Sequence, residues 1–209
     1  MEHRSFAGTN LNFWKPTPLL RQFLILSALA TDERLSQRRL AELAGLSPSV
    51  VNTYLTRFQD EGLLEKSPVN ARDFRYLLTL SGKALLGEMI VEYMRESFRL
   101  FSQGKWQLAR HLKGLQQRYG LKRVALYSAG EVTELVLHSL PGTGLEVTAI
   151  VDDDPGKQGL MMLGYPIVGP TALEELRVDG IIITTFKYRA GILSRICHLE
   201  GKGIKVLGL

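Results

Sequence analysis

The sequence has little cysteine and no long apolar run, and each shortage excludes a class of protein. Its 209 residues include one cysteine, Cys197, so an internal disulfide and a cysteine-rich zinc site are excluded. No stretch approaches the roughly 20 consecutive apolar residues that a transmembrane helix needs. The first residues also lack the apolar core of a secretory signal. The sequence therefore predicts a cytoplasmic protein without membrane association.

Charge is spread unevenly along a chain of ordinary globular composition. Apolar residues make up 45% and charged residues 22%, which excludes a disordered or fibrous chain. Residues 1–119 contain 17 Lys and Arg against 11 Asp and Glu, whereas residues 120–209 contain 9 against 10. A basic part joined to a near-neutral part indicates two functions, with the basic part suited to a polyanion such as nucleic acid. The alternative is that the excess of Lys and Arg lies on a solvated surface that binds no polyanion.

Two predicted helices with a tight turn between them occupy residues 36–61. Ser36 is placed to cap the first helix, and Gly45 to end it, because a left-handed backbone costs little only for glycine. Ser47 is placed to cap the second helix. Pro48 suits its first position, where a missing N–H costs nothing. The spacing therefore predicts a helix-turn-helix.

A short hairpin is predicted directly after these helices. Residues 63–66 and 74–79 have the composition of strands, and residues 67–73 supply turn chemistry. Thr79 and Gly82 then stand at the start of a further helix. From the caps to this Thr-x-x-Gly, the pattern over residues 17–82 resembles the winged helix-turn-helix of MarR-type and related bacterial repressors. The resemblance implies that residues 1–82 form a domain that binds double-stranded DNA.

Small polar side chains on the second helix, with arginines around them, are the candidate DNA contacts. Such side chains read base edges, whereas arginines bind phosphates. Asn52 can read adenine through two hydrogen bonds, and Arg57 can reach a guanine or a phosphate. A helix-turn-helix that packs only against protein is the alternative. The candidate DNA-binding residues are Arg38, Arg39, Ser47, Ser49, Asn52, Thr53, Thr56, Arg57, Arg72 and Arg75.

Residues 83–119 carry more apolar side chains than one surface helix needs. We predict a helical connector with a break at residues 102–104. The excess apolar surface predicts a homodimer interface, which suits DNA binding because two-fold proteins read palindromic half-sites. The alternative is that these helices only cover the second domain.

Residues 120–209 alternate buried strands with helices, which predicts a parallel sheet with right-handed crossovers. The first strand runs into the turn Ser128-Ala-Gly-Glu131 and a helix, and the second strand ends in three aspartates. With the later segments DDDPGKQG and GYPIVG, this resembles the Rossmann-like, CoA-binding-type domain found ahead of nucleotide-sugar dehydratases and sugar-phosphate transferases. The predicted fold class is α/β: a winged helix-turn-helix, a helical connector over residues 83–119 and a Rossmann-like domain over residues 120–209.

The resemblance implies a nucleotide-type ligand near the turn after the first strand. A helix N-terminus can hold a phosphate, and a carboxylate after the second strand can bond a ribose diol. Ser128 and Thr133 stand where the first and third glycines of G-x-G-x-x-G usually lie, which narrows the approach of a pyrophosphate. The resemblance does not distinguish between a nucleotide, a nucleotide sugar and NAD(H) as the ligand. The alternative is a degenerate domain that binds no ligand and only dimerises or contacts a partner. The candidate ligand-binding residues are Ser128, Ala129, Gly130, Glu131, Asp152, Asp153 and Lys187.

The sequence shows no catalytic Ser/His/Asp set and no metal-binding histidine motif in a plausible context, which predicts that the protein is not an enzyme. The domain order resembles that of the Rex repressors, which read NADH. We therefore predict a ligand-responsive transcriptional regulator that binds operator DNA as a dimer, with polysaccharide genes as targets by analogy. The alternatives are an enzyme subunit acting on a nucleotide sugar and a regulator whose second domain binds nothing. Cys197 is expected to be buried.

Overall fold

The computed structural model describes residues 15–68 and 74–209. The chain divides into two compact units, Met1–Ser97 and Phe98–Leu209. This division falls inside one long helix, and the predicted division at residues 82 and 119 stays a prediction.

Three helices and a hairpin form the N-terminal unit. Its core contains fully buried apolar side chains from each helix, among them Leu26, Leu40, Leu55 and Phe58. These positions recur at helical spacing, which is why the apolar pattern predicted the helices. The elements are α1 (Pro18–Thr31), α2 (Gln37–Ala44), α3 (Pro48–Asp60) and the antiparallel strands β1 (Leu64–Pro68) and β2 (Phe74–Leu78).

Local hydrogen bonds define the ends of the helices as predicted. Ser36 Oγ accepts a hydrogen bond from Arg39 N at 3.2 Å. Ser47 Oγ accepts one from Val50 N at 3.4 Å. Gly45 ends α2 in the left-handed region, with φ +63°. The sharp turn between α2 and α3 follows from Gly45, which ends the first helix, and Ser47, which caps the second.

One uninterrupted helix, α4 (Leu80–Tyr119), follows the hairpin. The predicted break at residues 102–104 is wrong, and Gly104 is helical. A glycine inside a helix costs only about 1 kcal/mol relative to alanine, and extending an existing helix is easier than starting a second one. In the two described ranges, no helix combines the length and apolar character needed to cross a membrane.

The C-terminal unit is built on a six-stranded sheet of order β5-β6-β4-β3-β7-β8. All neighbouring strands are parallel except the antiparallel pair β5 and β6. Strand order reverses between β3 and β7, and open α/β sheets bind ligands at the carboxyl ends of strands at such a point. The elements are β3 (Arg123–Tyr127), α5 (Glu131–Ser139), β4 (Glu146–Val151), β5 (Met161–Met162), β6 (Tyr165–Val168), β7 (Gly180–Ile183), α6 (Arg189–Ile196) and β8 (Lys205–Gly208).

The last helical segments differ from their predictions. Helix α6 ends at Ile196, and Cys197–Lys202 continues as a 3-10 helix. Cys197 is exposed, so its predicted burial is wrong. The buried side chains at this end are Ile196 and Leu199, three residues apart on one side of the helix. Cys197 lies between them in sequence and is therefore on a different, exposed side.

Candidate functional site

One side of α3 presents an exposed polar surface. Ser49, Asn52, Thr53 and Thr56 are exposed, whereas the opposite side of the helix lies in the core. The hydroxyl oxygens of Ser47 and Ser49 are 2.9 Å apart at the start of the helix. The helix therefore offers small polar groups where a groove-reading helix needs them.

Asn52 is held by side chains from two other elements. Gln37 Nε2, on α2, donates a hydrogen bond to Asn52 Oδ1 at 3.0 Å. The same nitrogen donates to the hydroxyl of Tyr76, on β2, at 3.3 Å. Tyr76 is buried, so this chain of contacts connects the exposed surface of α3 to the core.

Arg57 is also on α3, but its guanidinium is engaged inside the unit. Nη2 donates to Gln22 Oε1 at 2.9 Å, and Nε lies 3.5 Å from Glu61 Oε1. The guanidinium carbon lies 5.1 and 5.2 Å from the ring centroids of Tyr54 and Phe58. Arg57 therefore stabilises the packing of α3 and α1 in this structure, and its contact with DNA stays a prediction.

The other predicted arginines lie in the first turn of α2 and on the hairpin. Arg38 Nε lies 3.7 Å and Arg39 Nη1 2.9 Å from the carboxylate of Glu42. Arg75 forms an ion pair with Glu33 at 3.1 Å. The pairs of Arg38 and Arg39 with Glu42 are exposed and contribute only about 0–1 kcal/mol, so a phosphate can replace that carboxylate at little cost, whereas the pair of Arg75 and Glu33 is part-buried. Arg72 lies outside the described residues.

The turn after β3 has its polar atoms bonded within the C-terminal unit. Ser128 has a φ of +102°, which few residues other than glycine adopt. Ala129 N donates to Asp152 Oδ2 at 2.5 Å, and Lys157 Nζ donates to Ala129 O at 3.0 Å. The carboxylate of Asp152, at the end of β4, thus occupies one of the N–H groups that an anionic ligand would need.

Two threonine hydroxyls meet behind this turn. Thr133 Oγ1 donates to the carbonyl of Ser128 and lies 2.5 Å from Thr184 Oγ1. Thr184 Oγ1 also lies 2.9 Å from the carbonyl of Tyr127. From the sequence, Thr133 was expected only to narrow the approach of a pyrophosphate. Thr184 was missed because its partners lie far away along the chain.

Tyr127, Asp153 and Arg195 join three elements at the carboxyl edge of the sheet. The hydroxyl of Tyr127 donates to Asp153 Oδ1 at 2.9 Å, and Arg195 donates to both carboxylate oxygens at 3.1 and 2.6 Å. Burial, and then the bond to Asp153, raises the pKa of Tyr127 to about 12. The bonds from Arg195 hold the pKa of Asp153 below its usual value. Arg195 was missed by sequence reasoning, because no local pattern relates it to β4.

The remaining predicted ligand residues lie around the same edge. Gly130 is the N-cap of α5 and has no side-chain cap, and Glu131 is the exposed first residue of that helix. Lys187 is exposed after β7, with its Nζ 5.0 Å from the ring centroid of Tyr188. Beside the turn lies a groove of about 400 Å³, whose lining includes Ala129, Lys157, Met161, Met162 and Leu163.

Residues 20–65 match the family model described as winged helix-turn-helix DNA-binding. The N-terminal unit contains a winged helix-turn-helix DNA-binding domain. Residues 120–207 match a second family model, described as C2185-like, N-terminal. No curated protein matches the chain.

Solved structures are similar to parts of the chain. The PcaV transcriptional regulator from Streptomyces coelicolor, in complex with its natural ligand, is 27% identical over 39% of this chain and 60% of that chain, with a TM-score of 0.36. A MarR family protein of Mycobacterium tuberculosis, in complex with salicylic acid, is 24% identical over 47% of this chain and 75% of that one, with a TM-score of 0.38. UDP-D-quinovosamine 4-dehydrogenase from Vibrio fischeri is 24% identical over 42% of this chain and 77% of that one, with a TM-score of 0.37.

These likenesses are partial. The chain spans less than two thirds of the length of the PcaV regulator. TM-scores below 0.5 do not establish a common fold over the chain, so the three structures assign no function to it.

The winged helix domain brings most of its predicted DNA contacts onto α2, α3 and the hairpin, three elements that contact one another. Gln37 and Tyr76, which hold Asn52, were missed in the sequence because only the packing of α2 against β2 and α3 makes them neighbours. In the described ranges, no three His, Cys, Asp or Glu side chains are arranged to hold a metal ion.

Proposed function

We propose that this protein is a transcriptional regulator that binds operator DNA as a homodimer and responds to a small ligand of its C-terminal domain. One observation carries the proposal: a winged helix-turn-helix domain exposes a polar side of its third helix. The basic charge of residues 1–119 supports the same function, because DNA is a polyanion. A DNA-binding role also agrees with a cytoplasmic location, which stays a prediction.

The proposed DNA contacts fall into two groups. Side chains on α3 face the bases, and the arginines of α2 and the hairpin bind phosphates on either side. Of the α3 residues, Asn52 has the most defined geometry, because Gln37 fixes it. The proposed base-facing residues are Ser47, Ser49, Asn52, Thr53 and Thr56, and the proposed phosphate ligands are Arg38, Arg39, Arg72 and Arg75, with Arg57 at the far end of α3.

The proposed dimer interface is an apolar stripe along α4. Its members are exposed although they are large and apolar, and helical spacing places them on one side of the helix. Phe98 and Phe101 alone are 63% and 51% exposed. Together the members offer on the order of several hundred Å² of apolar surface, a large part of the ~800 Å² that each partner buries in a stable interface. The α4 stripe consists of Ile90, Val91, Met94, Phe98 and Phe101.

We further propose that the C-terminal domain is Rossmann-like and holds the effector at the carboxyl ends of β3 and β7. The reversal of strand order there and the uncapped N-terminus of α5 at Gly130 support this position. The class of effector, a nucleotide, nucleotide sugar or NAD(H), rests on the resemblance of residues 123–169, and control of polysaccharide genes follows from it only by analogy. The bond from Ala129 N to Asp152 favours a second candidate, a regulator whose C-terminal domain binds no ligand.

DNA binding is expected to be both specific and strongly salt-dependent. A dimer that contacts 6–10 phosphates loses roughly 10³- to 10⁵-fold in affinity between 50 and 200 mM salt. Replacing Asn52 by Ala is expected to cost about 1–3 kcal/mol at one base position. Replacing Arg38 by Ala is the matched comparison. It should weaken binding to all sequences alike and reduce the salt slope by about 1 per protomer, or about 2 for the dimer.

Fluorescence anisotropy on duplexes selected from a random pool measures both effects. An affinity for duplex DNA that does not change with salt would contradict the electrostatic part of the proposal. An unchanged sequence preference in the Asn52→Ala variant would place the reading surface elsewhere.

Ligand binding is expected to stabilise the full chain against heat. At a concentration of 100 times its Kd, an effector adds about 2.7 kcal/mol to the stability of the domain that binds it. A panel of nucleotides, nucleotide sugars and NAD(H) tested by differential scanning fluorimetry identifies the effector by the increase in melting temperature.

Gly130→Val is expected to abolish the shift in melting temperature, because the added side chain lies at the proposed phosphate position. Gly201→Val, at an exposed glycine whose added Cβ meets nothing within 4 Å, should retain it. Retention of the shift in Gly130→Val would disprove the position, and no shift with any compound would favour the ligand-free domain.

A further inference from the structure

The base that Asn52 reads depends on which atoms of its amide are free. Reading adenine through two bonds needs both the Oδ1 acceptor, for the N6 amino group, and the Nδ2 donor, for N7. In this structure Oδ1 already accepts a hydrogen bond from Gln37 Nε2 at 3.0 Å. An amide oxygen can accept a second hydrogen bond, but the bond from Gln37 draws Oδ1 toward α2, so Asn52 offers mainly its Nδ2 hydrogens to a partner outside the domain.

Gln37 is itself oriented by the core of the domain. Its Nε2 lies 3.3 Å from the hydroxyl of Tyr76, which is only 5% exposed. The backbone N of Tyr76 donates to the carbonyl of Glu33 at 2.9 Å, which fixes the strand at this point. The order Tyr76, Gln37, Asn52 thus runs from the buried hairpin through α2 to the exposed surface of α3.

We propose that Gln37 is a positioning residue that sets the base preference of the recognition helix. By drawing Oδ1 toward α2, it makes Asn52 a donor toward the major groove, so the base opposite is one with acceptors at its edge. Guanine presents two adjacent acceptors, O6 and N7, whereas the N6 amino group of adenine would face the Nδ2 hydrogens. The preference at this position is therefore guanine over adenine. This inference rests on the proposed DNA binding, and it replaces adenine as the expected partner of Asn52.

The test measures base preference rather than affinity. Duplexes are selected from a random pool by the full-length protein and by its Asn52→Ala variant, and the position whose preference disappears is the one that Asn52 reads. There the wild type should prefer guanine over adenine by about tenfold, within the range of a good base contact. Gln37→Met keeps the length of the side chain but frees Oδ1, and should shift the ratio of guanine to adenine binding at least several-fold toward adenine.

A second variant reverses the polarity of the contact. In Gln37→Glu the carboxylate can only accept, so Asn52 must donate Nδ2 to it and turn Oδ1 toward the groove. The preference should then move to bases with an amino group, adenine or cytosine. The new negative charge weakens binding to every duplex alike, so the ratio between bases remains the relevant quantity. Tyr76→Phe, which removes one hydroxyl that orients Gln37, should give a smaller shift in the same direction as Gln37→Met.

The control is Gln59→Met, the same change of side chain at a glutamine on α3, two helical turns beyond Asn52. It should leave the ratio of guanine to adenine binding unchanged. Thermal melting shows whether each variant is folded, and Tyr76→Phe serves if Gln37→Met is not. A wild-type preference for adenine at this position overturns the inference. An unchanged ratio in the folded Gln37 variants overturns it too, while selective binding by the wild type upholds the proposed function. A wild type without affinity for any duplex overturns both.

Discussion

Replacing Phe98 and Phe101 together by Glu is expected to convert a dimer into a monomer and to weaken operator binding at least ~100-fold. Both side chains belong to the α4 stripe and are more than half exposed in the single chain. Inside a dimer interface each new carboxylate would be buried without a partner, which costs several kcal/mol per charge. A monomer engages one half-site at a time and loses the gain of 10²- to 10⁴-fold that linking two binding events provides.

The matched control adds a charge on another side of the same helix. Gln103 is exposed and lies two residues after Phe101, about 200° round the helix, so Gln103→Glu should leave the dimer intact. Sedimentation equilibrium gives the oligomeric state, and anisotropy gives the affinity for the selected duplex. A double variant that remains a dimer with full affinity would remove the α4 stripe from the interface.

Adding one methyl group at Gly82 is expected to have the second large effect. A Cβ built there would lie 2.1 Å from the carbonyl oxygen of Leu63 and 3.1 Å from its carbonyl carbon. This oxygen belongs to the backbone at the start of the hairpin and also accepts a hydrogen bond from Thr79 N at 3.1 Å, so it cannot move independently. Gly82→Ala should therefore lower the free energy of unfolding by about 1–3 kcal/mol, as overpacking does, although alanine favours helices.

Gly87 provides the comparison on the same helix. It is exposed, and an added Cβ there would meet nothing within 4 Å. Gly87→Ala should accordingly raise stability by up to about 1 kcal/mol, the difference in helix propensity. Urea unfolding followed by circular dichroism compares the two variants with the wild type. Equal stability of Gly82→Ala and Gly87→Ala would show that the approach of α4 to the hairpin is loose.

The local structure of the winged helix domain could be predicted from the sequence because its determinants act over a few residues. Ser36 and Ser47 bond backbone N–H groups three residues ahead, and Gly45 takes up its left-handed conformation where it stands. Runs of apolar residues likewise indicated the parallel strands of the C-terminal sheet, since a buried strand needs only its own run of apolar residues, but the two-residue antiparallel strand β5 was not predicted. The continuity of α4 was not predictable in this way. Ser102 and Gly104 suggested an end, but the helix continues through them.

What the polar side chains do was decided only by tertiary structure. Asn52 and Gln37 are 15 residues apart, and Asp153 and Arg195 are 42 apart. No periodicity relates such pairs, because they meet only after helices and strands pack. The sequence by itself therefore determined the helix-turn-helix, most of the other helices and strands, and the basic character of the first part. Packing determined which side chains hold Asn52 and Arg57 and why Asp152 bonds its own turn. Asp152 is buried, and a polar group removed from bulk water needs a hydrogen-bond partner, which the fold provides in the N–H of Ala129.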